Sequence, residues 1–139
     1  MPLLLRGAWV GLTLGVLVLG CGGRLAGTYK ADARLMDGKV ESSEPGYSLA
    51  EVRAKIVGEN RSLVLHGNGR FEWNTGDVIN EGTWRVEGDV IFLREDINDG
   101  RAIGALLRKD RKWGIGAGGE IVRAGSYNRY NLEEVYFPE

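Results

Sequence analysis

The chain has 139 residues, of which 18 are basic, 19 acidic and one histidine, for a formal charge of −1. That near-neutral balance excludes the basic footprint of a nucleic-acid-binding domain. Twenty-two glycines beside three prolines, with no fixed glycine period, exclude collagen-like and low-complexity chains and assign most glycines to turns.

Arg6 precedes an uncharged apolar run over residues 8–19, and Gly20-Cys21 closes it. A basic start, an apolar core of about 7–15 residues and a small-residue junction make an export signal. The run is at the short end for a helix crossing roughly 30 Å of hydrocarbon. An ordinary secretory signal or a retained anchor are the other readings. Val18-Leu19-Gly20-Cys21 resembles the lipobox of bacterial lipoproteins, with Val where Leu is commoner. The resemblance implies a signal peptide at 1–20, cleavage before Cys21 and diacylation of its sulfur. It further implies a lipid-anchored envelope protein, on the outer membrane facing the periplasm, since Gly22 rather than aspartate follows Cys21. Cys21 is the single cysteine, so no disulfide can form within the chain. Two acyl chains hold a membrane firmly where one does so marginally. A tether over residues 21–26 would therefore leave a domain over 27–139 in water.

The next residues alternate, with Tyr29, Ala31, Ala33 and Leu35 on one side, which predicts a first strand. Asp37-Gly38 marks a turn and residues 42–46 a polar loop. Ser48 followed by Glu51 forms a capping box, and Leu49, Val52 and Ile56 fit one helical face. Val52, Ala54 and Ile56 also alternate, so residues 48–60 read as a short helix, suited to a lid over a barrel mouth, or as a further strand. Residues 62–66 and 70–74 predict a hairpin about Asn68-Gly69. Strands follow at 78–86, 90–94, 101–107 and 120–124, with residues 127–137 ending the chain. Residues 90–93 are all apolar, which suits a strand buried on both faces or leaves the register of the strand unassigned.

Seven or eight short strands with turns every eight to twelve residues predict an all-β antiparallel meander. Closure into a small barrel removes aggregation-prone edges; a small sandwich is the rival architecture. Leu25-Ala26-Gly27-Thr28-Tyr29 resembles the Gly-x-Trp opening of lipocalin-like proteins, with Tyr29 in place of Trp. Residues 67–71 and 82–93 look like the repeated hairpins of small lipocalin-like bacterial lipoproteins. The Cys-x-x-Cys of the surface-sensing members is absent, so no metal or redox role carries over.

Chemistry-bearing patterns are sparse. His66, the single histidine, has no second histidine, free cysteine or Gly-x-Ser-x-Gly to complete a nucleophilic arrangement, and reads as a strand-end surface residue. Glu95, Asp96 and Asp99 read as a solvated turn, and Glu133-Glu134 likewise. The glycines at 114–119 lack the context of a phosphate loop. No cofactor or metal is implied, and the chain reads as non-catalytic. Phe71, Trp73, Trp84 and Phe92 are either core fillers or the wall of a site for a small apolar ligand. Arg108, Arg111, Trp113, Arg129 and Tyr130 make a possible partner surface, with Tyr127, Tyr136, Lys112 and Arg123 nearby. The expected function is that of an envelope accessory protein binding a protein partner. Lipocalin-like binding or transport of a small apolar ligand is the alternative.

Overall fold

The computed structural model describes residues 25–139; the stretch read as an export signal and Cys21 lie outside the described residues. Strand β1 (Gly27–Leu35) turns Tyr29, Ala31 and Ala33 into the core. After a polar loop, helix α1 (Leu49–Gly58) forms, not the strand that residues 48–60 also allowed. The Ser48 hydroxyl accepts from the Glu51 N–H at 3.2 Å, which satisfies one of the helix's orphan donors. Val52 and Ile56, four residues apart on one face, are buried.

The chain then runs through β2 (Ser62–Leu65), β3 (Arg70–Asn74), β4 (Ile79–Glu87), β5 (Val90–Asn98), the two-residue β6 (Arg101–Ala102), β7 (Asp110–Ile115), β8 (Ile121–Arg123) and β9 (Leu132–Pro138). Each neighbouring pair is antiparallel, β4 pairs with β5, and β9 returns to β1 from Tyr29↔Pro138 to Leu35↔Leu132. Eight strands thus close a barrel, and β6 extends the edge of β5. The predicted all-β meander barrel with a short helix is the fold, and the sandwich is excluded. Among the described residues, every strand pairing and every buried core residue lies within residues 27–138, so a chain starting at Leu25 retains them all.

Register gives the barrel two unlike ends. The short turns β2–β3, β4–β5 and β7–β8 lie at one end with the start of β1 and the end of β9. The other end carries α1 and the β3–β4, β5–β7 and β8–β9 connections. The hairpin end is sealed by apolar residues. Trp84 donates its indole N–H to the His66 carbonyl at 2.9 Å and packs against the core. His66 itself is exposed, beside Glu72 at 3.0 Å.

Three sequence expectations change in the fold. Residues 90–93 alternate after all: Ile91 and Leu93 are fully buried, while Phe92 lies on the outer face beneath Arg85 (4.4 Å) and Lys112 (5.7 Å). Those cations cover a ring that apolar count alone assigned to a core. Glu95 and Asp96 sit on β5 and not in a solvated turn. Asp96 is an extra residue between Glu95 and Ile97, which face Gly82 and Glu81. Glu95 points inward by plain alternation with Ile91 and Leu93, and the bulge shifts the parity only of the residues beyond it. The strand expected over 101–107 is paired only at Arg101–Ala102. Ile97 faces Ala102 and Arg94 faces Asp110, so three steps along β5 are matched by eight along the segment that follows it. The five surplus residues leave the sheet as an excursion that ends the interrupted strand and restarts it at β7.

Candidate functional site at the loop end of the barrel

Inward positions divide the barrel into three layers. Toward the hairpin end they are apolar, with Leu65 facing Phe71, and Leu63, Ile91 and Ile121 carry the apolar lining up to the level of Trp73, Trp113 and Tyr136; all five are at most 1 % exposed. The middle is aromatic. Trp73 and Trp113 meet edge to face at 5.1 Å, and Trp113 stacks on Tyr136 at 5.6 Å. Toward the loop end the same faces become ionic, because the strands place Glu95, Arg111, Arg123 and Glu134 one step beyond those rings.

Glu134 is fully buried. It accepts from Arg61, from Arg123 at 3.1 Å, from the Ser126 hydroxyl at 3.4 Å and from the Tyr136 hydroxyl at 2.7 Å. Trp73 in turn donates its indole N–H to the Tyr136 oxygen at 2.8 Å. Burial, with the Glu134 carboxylate beside it, pushes the Tyr136 phenol far above its usual range, so it remains a donor. Arg61 also binds Glu59 at 2.6 Å, which ties the end of α1 to the barrel interior. Every buried side-chain nitrogen and oxygen among the described residues has a partner. A charge network satisfied to this degree fixes side-chain positions as well as neutralising charge.

Next to this network the rim opens. Arg111 donates to Glu95 at 2.5 Å and lies 5.3 Å from the Trp73 ring, yet its side chain is 47 % exposed. A cleft of about 310 Å³ lies between β5 and the excursion, lined by Glu95, Ile103, Leu107, Arg108 and Arg111 among others. Arg108 donates its Nε to the Ile103 carbonyl at 2.9 Å, which folds the excursion back on itself. Outside the rim, Arg70 grips Asp96 through two bonds of 2.5 and 2.9 Å and holds that carboxyl below its usual range.

The residues singled out in the sequence are distributed unevenly over this site. Arg108 and Arg111 line the cleft, whereas Trp113 is 3 % exposed and belongs to the core, not to a surface. Tyr130 and Arg129 lie in the β8–β9 connection, where Tyr130 stacks on Tyr47 at 3.6 Å. Phe71 and Trp73 face the interior and are packed against protein; Trp84 plugs the far end, and Phe92 is outside. Of the residues that build the network, Arg61 was passed over in the sequence, while Glu95, Glu134 and Arg123 were read as turn or surface residues. Strand parity was the available signal, since Glu134 shares a face with Leu132 and Tyr136.

The chain matches no family model, no curated protein and no solved structure. Its class therefore rests on architecture: a closed eight-stranded antiparallel barrel with one helix, consistent with a lipocalin-like fold.

Proposed function

We propose that this chain is an exported, lipid-anchored binding protein that takes a small ligand in the cleft at the loop end of its barrel. The carrying observation is the cleft itself, whose volume of about 310 Å³ is at the lower end of the range of small-molecule sites. An eight-stranded barrel has an interior just wide enough to be filled by side chains or to hold one small ligand. Here aromatic rings and ion pairs fill the centre, so the ligand binds at the rim above them. Ile103 and Leu107 offer an apolar wall, and the guanidinium of Arg108 forms no salt bridge among the described residues. These groups suit a compact molecule with an apolar body and one acidic group.

Anilinonaphthalene sulfonate has that character and supplies the test. Saturable one-to-one fluorescence enhancement is expected with the folded barrel, weakened at least tenfold by Arg108→Glu, the loss of one charge-assisted contact. Absence of saturable binding, or binding indifferent to that substitution, would reject the ligand reading. Anchoring is checked separately by mass spectrometry of the chain extracted from bacterial membranes. Acylated Cys21 as first residue is expected, and an unmodified thiol would remove the anchor.

A further inference from the structure

The excursion carries a feature that the cleft explains only in part, since Leu107 lines the cleft and Leu106 does not. Leu106 is wholly exposed and Leu107 is 73 % exposed, both on the short 3-10 turn Ala105–Leu107. Scattered exposed leucines are ordinary. Two in succession after Gly104-Ala105, on a segment displaced from the sheet, form an apolar tip. Its flanks are basic. Residues 101–112 contain Arg101, Arg108, Lys109, Arg111 and Lys112 against a single acid, Asp110. Asp110 is already taken by Arg85 at 3.3 Å and Arg94 at 3.6 Å, and Arg111 by Glu95. Among the described residues Arg101, Arg108, Lys109 and Lys112 form no salt bridge, so the collar around the tip keeps its positive charge.

We infer that this tip docks on a membrane surface rich in anionic lipid, with Leu106 and Leu107 entering the acyl boundary and the collar resting on the headgroups. Composition selects lipid over protein. Protein hot spots favour Trp, Tyr and Arg and under-represent Leu, and Lys is depleted at protein interfaces. The tip has two leucines and no exposed aromatic, since Trp113 is buried. Apolar insertion combined with Lys and Arg over anionic headgroups is the pattern of interfacial membrane binding. The tip lies at the end of the barrel opposite the start of β1, so this contact is distinct from any anchor at Cys21.

The test is sedimentation of the barrel, residues 25–139, with phosphatidylcholine vesicles with and without phosphatidylglycerol. Binding is expected only with phosphatidylglycerol and should weaken as salt rises. Leu106→Ser should reduce it at least tenfold, and Lys109→Glu severalfold. Leu106 is not among the residues lining the cleft, so Leu106→Ser should leave anilinonaphthalene sulfonate binding intact. Failure of dye binding alone would thus reject the ligand reading and leave this one standing. No sedimentation with phosphatidylglycerol at low salt, or unchanged binding by folded Leu106→Ser, would overturn the membrane contact. Loss of an envelope protein from pull-downs by Leu106→Ser, with vesicle binding unchanged, would overturn it in favour of a protein partner.

Discussion

Replacing Glu134 by Gln tests the ionic layer at its centre. The substitution keeps the shape of the side chain but removes the charge that Arg61 and Arg123 share, and it turns one acceptor into a donor. Glu134 has no exposure, while the two arginine side chains are 12 % and 25 % exposed. Removing one partner of a buried pair costs about 3–5 kcal/mol. The lower end applies here, for two reasons on the arginine side. Arg61 retains Glu59 at 2.6 Å, and Arg123 retains the face of Trp73 at 4.7 Å. A loss of about 3 kcal/mol is expected, or about 12 °C in Tm at roughly 4 °C per kcal/mol for a domain of this size. Urea unfolding followed by tryptophan fluorescence and circular dichroism measures it, with an unchanged slope showing that the surface exposed on unfolding is the same. Adding Arg123→Gln should recover part of the loss, because the second change removes a stranded charge. A loss below about 1 kcal/mol would refute the reasoning, since it would mean that the carboxylate is hydrated and the layer wet.

Two further outcomes test the frame around the site. Gly82 lies at the β4–β5 bulge, where an added Cβ would come within 1.9 Å of the Arg94 carbonyl oxygen and 2.8 Å of the Phe71 ring. Gly82→Ala should therefore cost about 3 kcal/mol or more in a urea melt, and a cost under about 1 kcal/mol would show that the bulge is not packed as described. The second outcome concerns acid. Arg70 lowers the folded pKa of Asp96 below the unfolded value near about 3.9, so their pair stabilises the fold above that pH. The contribution, about 1 kcal/mol for a pair with the Asp96 side chain 19 % exposed, is lost as pH falls through the depressed folded value. Asp96→Asn should be less stable at neutral pH and converge on the unmutated chain in acid. Parallel curves across that window would refute the pairing.

Much of the fold was legible because turns and alternation are local. Residues 70–74 formed the strand they predicted, Tyr29, Ala31 and Ala33 turned inward together, and Ser48 with Glu51 marked the start of α1. The site was less legible because it depends on pairing. Residues 101–107 carry nothing that counts their partners on β5, and the five-residue surplus exists only relative to Arg94 and Ile97. Trp113 read as part of a basic surface since its neighbours Arg111 and Lys112 are charged. Pairing with Ile91 puts it inside, while Lys112, one step away, goes out over Phe92. Glu134 looked dispensable beside Glu133 because a strand hides its inner face from any one-dimensional count. Its two guanidinium partners come from positions 61 and 123, and only closure brings them together.

The seam between β1 and β9 determines when this molecule can exist. Tyr29 meets Pro138, and the Glu139 N–H reaches the Thr28 carbonyl at 2.9 Å, so β1 waits about a hundred residues for its second neighbour. Until β9 arrives, the growing sheet has bare margins on both sides, and its tryptophans have no opposite wall. Slow folding is the expected consequence, because distant segments must meet before any reward is gained. Glu134 and Tyr136 ride on that final strand. The ionic rim and the last stave of the barrel are therefore completed by the same event, and a chain shortened before Leu132 would have neither.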